Sequence, residues 1–260
     1  MPGAFYTGDG ERLVPSELTR GPWDPGAQHA GPPAALLGRA VERCERREGM
    51  RVGRITFDIL GPVPIAPLET RARVVRPGRS VELVEASLSG PEGEVMRATA
   101  WRVRAGAVDV ASERESAPPG PEEGATREFF ATGQDVGYHT AMEYLFVDGA
   151  FLELGPATVW MRMRVPLVAG EEPSPLQRVL VAADTGNGVS AVLDYRRYLF
   201  INTDLSVHLL RMPAGEWVCL GATTHVDGLG LTDTALWDER GRIGRAVQTL
   251  LVRQRPASGA

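Results

Sequence analysis

Two patterns of apolar residues alternate along this chain. After Pro32-Pro33, the segment AALLGRAVERCERR predicts a helix, because its apolar residues recur at helical spacing: Leu36, Leu37, Ala40, Val41 and Cys44. Four segments with strand-like alternation follow: RVGRITFDILGPV, LETRARVVR, SVELVEASLSG and EVMRATAWRVR. PGR at 77–79 and GPEG at 90–93 predict hairpin turns between them. The first half therefore consists of one helix followed by antiparallel strands.

The second half repeats this order. The segment SPLQRVLVAADTGNG predicts a helix beginning near Ser174, with one apolar face: Leu176, Val179, Leu180 and Ala183. Strand-like segments precede it (YLFVDGAFLEL and ATVWMRMRV) and follow it (RRYLFINTDLSVHLLRM, EWVCLGATTHV, LTDTALWDE and GRIGRAVQTLLVRQR). The repeat predicts a duplicated α+β unit in which an antiparallel sheet curls around each helix.

A segment poor in large apolar residues separates the halves. It contains SAPPGPEEG, a composition typical of linkers. We therefore predict an N-terminal unit at residues 1–104, a linker at 105–135 that crosses between the units, and a C-terminal unit at 136–260.

Charge and composition exclude several classes of function. The chain of 260 residues has 28 basic and 33 acidic residues and a net charge of -5, so no broad basic field is available for nucleic acid. All the basic residues are Arg, which excludes a Schiff-base or P-loop lysine. No apolar run approaches the roughly 20 residues of a membrane span, and we expect a cytoplasmic location.

Sequence motifs for other chemistries are also absent. The two cysteines, Cys44 and Cys219, are far apart, and the four histidines have no metal-ligand spacing. No GxSxG elbow and no Walker or Rossmann loop occurs. We therefore expect neither a metal nor an organic cofactor, and no serine nucleophile.

Several longer segments carry a family resemblance. They are WDPGAQHAGPPAALLGRAVE around the first helix and INTDLSVHLLRM, GATTHV and DERGRIGRAVQTLLVR in the second half. They resemble the acyl-CoA thioesterase II family, and most closely its actinobacterial thioesterase-like branch. The resemblance covers nearly the whole chain. It implies a double hot-dog fold, in which two helices are each wrapped by an antiparallel sheet, and an acyl-CoA or other acyl-thioester substrate.

The resemblance also implies a catalytic trio in the second unit. In this family a carboxylate, a threonine and a glutamine position the attacking water, and they map onto Asp204, Thr223 and Gln248. Because residues 223 and 224 are both Thr, Thr224 is an alternative for the hydroxyl group or a substrate contact. In the strand predicted at 196–212, Asp204 shares its face with Asn202, Ser206 and His208. Asp204 is then the expected general base.

Substrate-binding residues are expected at the start of the first helix. The family commonly has His-Gly-Gly there, and this chain has His29-Ala30-Gly31. The first N–H groups of a helix suit a thioester oxyanion, and Pro32 and Pro33 leave those of Gly31 and Ala34. We expect His29 to line the cleft without acting as the base.

Two other functions fit parts of the sequence. Asp24 and His29 stand five apart, as in hot-dog enoyl-thioester hydratases or dehydratases, although the residues between them differ from that pattern. A non-catalytic acyl-CoA-binding protein with the same fold is the other alternative. Exposed sheet edges would also favour a homo-oligomer.

Overall fold

The computed structural model describes residues 3–106 and 116–255. Its strands are Tyr6–Asp9 (β1), Arg12–Pro15 (β2), Met50–Ile59 (β3), Glu69–Arg76 (β4), Val81–Gly90 (β5), Gly93–Arg104 (β6), Met142–Asp148 (β7), Ala157–Met163 (β8), Tyr198–Asn202 (β9), Asp204–Leu209 (β10), Val218–Asp227 (β11), Leu229–Asp238 (β12) and Gly241–Gln254 (β13). Its α-helices are Gly31–Arg43 (α1), Tyr138–Ala141 (α2), Pro175–Ala183 (α3) and Gly186–Val189 (α4). Short 3₁₀ turns cover Glu17–Thr19 and Pro121–Glu123.

The predicted helices and hairpins are confirmed. Helix α1 includes Pro32-Pro33, and α3 follows Ser174, whose hydroxyl accepts a hydrogen bond from the Gln177 N–H at 3.2 Å. Turns join β4 to β5 and β5 to β6 at the predicted places. The hairpin of β1 and β2 and the short helix α2 were not predicted, and the segment predicted as one helix over 174–188 divides into α3 and α4.

In the described residues, all strands after β2 belong to one antiparallel sheet of 11 strands. The order is β4-β5-β6-β3-β10-β13-β12-β11-β8-β7, with β9 also paired to β13. Strand β3 of the first half pairs with β10 of the second half, from Arg54↔His208 to Asp58↔Asp204. The sequence predicted a sheet around each helix, whereas the two sets of strands are continuous.

The helices α1 and α3 pack against each other inside this sheet. Leu36, Leu37, Leu176 and Leu180 are all buried in one apolar core. A side chain at Gly38 would collide with Leu180, so the glycine allows the helices to approach closely. This contact brings the start of α1 alongside the end of α3.

The predicted linker is more than a spacer. Residues 107–115 lie outside the described part of the chain, but residues 116–135 run along β7, where Ala125 pairs with Phe146. The indole N–H of Trp160 donates to the Pro119 carbonyl at 2.7 Å. Phe129 and Phe130 stack at 4.4 Å between ring centroids. This segment thus contributes aromatic side chains to the interior.

In the described ranges, 3–106 and 116–255, no helix is both long and apolar enough to cross a membrane.

Candidate active site

The structure does not bring Asp204 and Gln248 to the same face of the sheet. Asn202 lies opposite Leu250, but Ser206 lies opposite Val247, so the register shifts by one residue between them. The shift is a β-bulge at residues 203–204, which interrupts the single strand predicted for this segment. Residues opposite each other in an antiparallel pair share a face, and the bulge therefore reverses the alternation.

The bulge turns Asp204 toward the outer face. Its Oδ1 accepts a hydrogen bond from the Thr249 N–H at 2.9 Å. Thr249 is exposed, whereas the neighbouring Gln248 is directed inward between the buried Ala246 and Leu250. Asp204 therefore occupies a sheet position with a structural partner, and the predicted convergence of its side chain with Gln248 does not occur.

The two candidate threonines also lie on opposite faces. Thr223 is opposite Asp233, which binds the Arg245 guanidinium on the outer face. Thr224 is buried and directed inward. Its hydroxyl lies 2.7 Å from that of Thr232 and 2.8 Å from that of Ser190. Of the two threonines that the sequence left as alternatives, Thr224 is the one that faces the interior.

Gln248 is fully buried, and its amide connects the helix ends of the second half. Only 1% of the residue is exposed. Its Nε2 donates to the Asp184 carbonyl at 3.1 Å and reaches the Asp184 Oδ1 at 3.4 Å. Its Oε1 accepts from the Asn187 N–H at 3.1 Å. Gln248 is thus an interior polar residue, and its carboxylate partner is Asp184.

Asp184 is the buried carboxylate of this site. It follows the last residue of α3 and is 4% exposed. The Asn202 Nδ2 donates to its Oδ1 at 2.8 Å, and the His29 Nδ1 lies 3.1 Å from its Oδ2. A negative charge at a helix C-terminus faces the negative end of the helix dipole. A buried charge in such a place requires hydrogen-bond donors, and these side chains surround it with them.

His29 connects this carboxylate to the first helix. Its ring stacks on Tyr138, with 3.7 Å between centroids. Its Nδ1 also lies 3.1 Å from the Gly31 N–H, and a single nitrogen cannot donate to Asp184 and accept from Gly31 at once. Burial lowers the pKa of His29, and the charge of Asp184 acts in the opposite direction. The neutral ring is therefore favoured, with its proton available for Nδ1.

Gly31 and Asp24 both take part in local structure. A side chain at Gly31 would collide with the Val181 carbonyl, so the glycine is required where α1 meets α3. Asp24 is exposed, and its Oδ1 accepts from the Gly26 N–H at 2.8 Å within a turn. The carboxylate beside His29 is thus Asp184 and not the Asp24 of the hydratase hypothesis.

A cavity opens beside this cluster. Its wall includes His29, Tyr138, Thr185 and Gly188, so it borders both His29 and the residue that follows Asp184. Most of the remaining lining is aromatic and consists of Phe129, Phe130, Tyr144 and Phe151, with Arg20, Pro22 and His139. Phe130, Phe151 and Gly188 also line a second groove, which extends to Trp23, Tyr195, Phe200 and the exposed Leu152 and Leu154. The cavity and the groove therefore share part of their lining, and we refer to the two together as the apolar passage.

The sequence contained a weak signal for Asp184. It is an acidic residue at the end of an apolar helical stripe, where the helix dipole disfavours a carboxylate. Asn202 had no equivalent signal, because its orientation depends on the bulge. Among the residues described, no group of three or more His, Cys, Asp and Glu side chains is arranged to hold a metal ion.

Known proteins of the same fold cover almost the whole chain. A provisionally assigned thioesterase II from Thermobifida fusca YX has a TM-score of 0.75 and 17% identity, covering 95% of this chain and 94% of that one. A conserved protein with a hot dog fold from Alicyclobacillus acidocaldarius has a TM-score of 0.70 and 17% identity, covering 97% and 96%. An acyl-CoA thioesterase II from Mycobacterium marinum has a TM-score of 0.64 and 15% identity, covering 90% and 92%. These likenesses show a hot-dog fold.

Family models extend the agreement to the sequence. No curated protein matches the chain. The model of the acyl-CoA thioesterase N-terminal domain matches residues 19–103, and that of the acyl-CoA thioesterase C-terminal domain matches residues 114–252. The second match alone spans more than half of the 260 residues. The chain belongs to the acyl-CoA thioesterase family.

Proposed function

We propose that this protein hydrolyses acyl-CoA-type thioesters with water that is activated by Asp184. The observation that carries the proposal is the buried Asp184 carboxylate, held between Asn202 and His29 next to the apolar passage. This proposal replaces Asp204 with Asp184 as the base and keeps Gln248. It needs neither a metal nor an organic cofactor.

The reaction uses one carboxylate as both acceptor and donor of a proton. The water oxygen adds to the thioester carbon while one water proton passes to Asp184. The C–S bond then breaks, and the departing thiolate takes that proton, so Asp184 is ionised again. The Asn202 and Gln248 amides hold the carboxylate in one orientation throughout, which keeps the attacking water in line with the carbonyl.

His29 is proposed to position Asp184 through its Oδ2. A neutral ring with the proton on Nδ1 donates to the carboxylate without neutralising it, so the carboxylate remains a base. A protonated ring would form an ion pair and weaken that basicity. In this proposal His29 positions the carboxylate and is not itself the general base.

Thr224 is proposed to contribute indirectly. Its hydroxyl, with those of Ser190 and Thr232, forms a buried row, and Thr232 lies opposite Gln248 in the sheet. Such a row restricts the neighbouring amide. Thr223 and Asp204 on the outer face have no role in this mechanism.

The acyl group is proposed to occupy the apolar passage. Phe130 and Phe151 line both the cavity and the groove, so an apolar chain attached to a carbonyl near His29 would contact apolar side chains as it extends outward. Burial of each CH₂ group contributes about 0.8 kcal/mol. An acyl-CoA panel of increasing chain length would measure how far this passage extends.

We also propose that the fold is a double hot-dog, with units at 1–104 and 136–260 joined by 105–135. Support comes from the two central helices, α1 and α3, and from the separate matches to N- and C-terminal thioesterase domains. A cytoplasmic location and self-association stay predictions, which cell fractionation and light scattering of the purified protein would test.

A matched pair of variants tests the assignment of the base. Asp184→Asn and Asp204→Asn make the same chemical change on the inner and outer faces of the sheet. Thiol release should fall about 100- to 10,000-fold in Asp184→Asn and remain near the wild-type rate in Asp204→Asn. If Asp204→Asn lost thiol release and Asp184→Asn retained it, Asp204 would be the general base. Enoyl-CoA hydration by the wild type, without thiol release, would favour the hydratase alternative.

A further inference from the structure

The backbone donors expected to hold an oxyanion are directed at atoms of the protein itself. At the start of α1, the Gly31 N–H lies 3.1 Å from the His29 Nδ1, and the Ala34 N–H donates to the Ala30 carbonyl at 2.9 Å. Pro32 has no N–H to offer, and neither does the residue after it. These two N–H groups therefore point at the His29 ring and into the first turn of the helix.

The backbone beyond Asp184 is similarly engaged. The Asn187 N–H donates to the Gln248 Oε1 at 3.1 Å, and the Gly188 N–H donates to the Thr185 carbonyl at 2.9 Å. These groups stabilise the short helix α4. A thioester carbonyl next to His29 needs a hydrogen-bond donor from another part of the cavity wall.

Tyr144 is such a donor. It lies on β7 opposite Met161, is 8% exposed and packs edge-on against Phe151, with 5.0 Å between centroids. Its hydroxyl is buried and has no hydrogen-bond partner within the described part of the protein. The residue lines the same cavity as His29 and Thr185. An unpaired buried hydroxyl destabilises a fold, so one that faces a cavity suits a ligand atom.

A second donor without a partner lines this cavity. The Arg20 Nε is buried and makes no hydrogen bond to the described residues. The Nη atoms of the same side chain bind the Val136 carbonyl at 3.4 Å and Glu17 at 3.1 Å, which fixes the guanidinium. Two residues that line one cavity thus each carry a buried donor without a partner, and such donors suit a ligand oxygen that accepts hydrogen bonds.

We propose that the Tyr144 hydroxyl donates a hydrogen bond to the thioester carbonyl oxygen and stabilises the oxyanion. This proposal rests on the hydrolysis proposed above. When water adds to the carbonyl carbon, the C=O π pair moves to the oxygen, and the O–H of Tyr144 stabilises that charge without transferring its proton. When the C–S bond breaks, the pair returns to form C=O.

The surroundings keep Tyr144 a donor. Burial raises its pKa well above the ordinary value, and the neighbouring Tyr138 acts in the same direction. The phenol is therefore protonated throughout the working pH range. Tyr138 itself is unavailable, because its hydroxyl donates to the Val181 carbonyl at 2.7 Å and lies 2.9 Å from the Thr185 hydroxyl.

The first test is the kinetic effect of Tyr144→Phe, which removes only the hydroxyl. An acyl-CoA panel from acetyl to palmitoyl, with benzoyl-CoA, identifies the best substrate of the wild type by thiol release. With that substrate, kcat should fall about 100- to 1000-fold while KM changes little, because the bond strengthens as charge develops. Tyr198→Phe on β9, outside the cavity, is the matched control and should retain wild-type kcat. An unchanged kcat in Tyr144→Phe would overturn the proposal.

A second test does not require turnover. A ketone analogue of acyl-CoA, with CH₂ in place of sulfur, retains the carbonyl and cannot be hydrolysed, whereas an S-alkyl-CoA thioether lacks the carbonyl. The infrared C=O stretch of the bound ketone should lie at lower frequency in the wild type than in Tyr144→Phe, and thioether affinity should be equal in both. Equal C=O frequencies would contradict the hydrogen bond. If the wild type releases no thiol from any substrate, the proposed function fails, and this measurement still decides the role of Tyr144.

Discussion

The two halves of the molecule place different chemistry beneath the ends of their central helices. Below the end of α1, Glu82 on β5 lies opposite Arg102 on β6. Below the end of α3, Thr232 on β12 lies opposite Gln248 on β13. The positions correspond in the repeated order of elements. One pair is charged and the other is neutral.

In the first half, the charged pair stabilises the helix end. The Arg102 Nη1 donates to the Val41 carbonyl at 3.2 Å and the Cys44 carbonyl at 2.6 Å, and its Nη2 is 2.7 Å from Glu82. A cation at a helix C-terminus interacts favourably with the dipole. In the second half, the Asp184 carboxylate takes that place, where the dipole opposes it. The end of α1 is thus stabilised by a cation, whereas the end of α3 carries the carboxylate that we propose as the general base.

The largest expected difference between the two helix ends is that of Asp184→Asn. This variant should lose turnover, as described above. Its free energy of unfolding should stay equal or rise, because the change removes a buried negative charge from a helix C-terminus. Urea denaturation monitored by circular dichroism measures it. A marked loss of stability would mean that Asp184, like Arg102, is mainly structural.

Arg102→Met should have the opposite effects, with a loss of stability and no loss of kcat. It leaves the Glu82 carboxylate buried with Arg47 as its remaining partner at 2.7 Å, and we expect a loss of about 3–5 kcal/mol in the free energy of unfolding. The double change with Glu82→Leu should recover part of that loss, and the folded fraction of each variant should hydrolyse thioesters at the wild-type kcat. A urea midpoint equal to that of the wild type would refute the stabilising role of Arg102.

Asn202→Ala should have an intermediate effect on turnover. Its Nδ2 donates to the charged Asp184 Oδ1, and a hydrogen bond to a charged group contributes about 1.5–3 kcal/mol, or roughly 10- to 100-fold in kcat. Combined with Gln248→Ala, the loss should be less than the product of the two single losses, since both amides hold one carboxylate. Strict multiplication of the effects would show that they act on different steps.

The pH dependence of stability should show the smallest effect. Because burial lowers the pKa of His29, the unfolded chain takes up its proton at higher pH than the folded protein does. Stability from the neutral ring is complete above the unfolded pKa of about 6.5 and is lost as the pH falls toward the folded pKa. Relative to His29→Gln, the wild type should lose thermal stability as the pH falls below about 6.5. Parallel melting curves for the two proteins would contradict this.

Much of the interior of the fold followed from the local pattern. The helices after Pro32 and Ser174 and the hairpins between β4, β5 and β6 are confirmed. Gln248 is buried, because the alternation of Ala246, Gln248 and Leu250 continues without interruption along β13. The orientation predicted for Asp204 was wrong, because one additional residue at the bulge reversed the alternation of inward and outward side chains.

Helix and strand periodicities are local properties, so the order of residues was sufficient to predict the elements and their apolar faces. Strand register and helix-end contacts are different, because each depends on a partner distant in sequence. Asn202 turns inward because of its pairing with β13, and His29 reaches Asp184 because α1 packs on α3, which lies far along the chain. The periodicity of the sequence therefore predicted the elements, and the resemblance of its segments indicated a thioesterase-like protein. Only the tertiary structure determined which carboxylate lies in the interior.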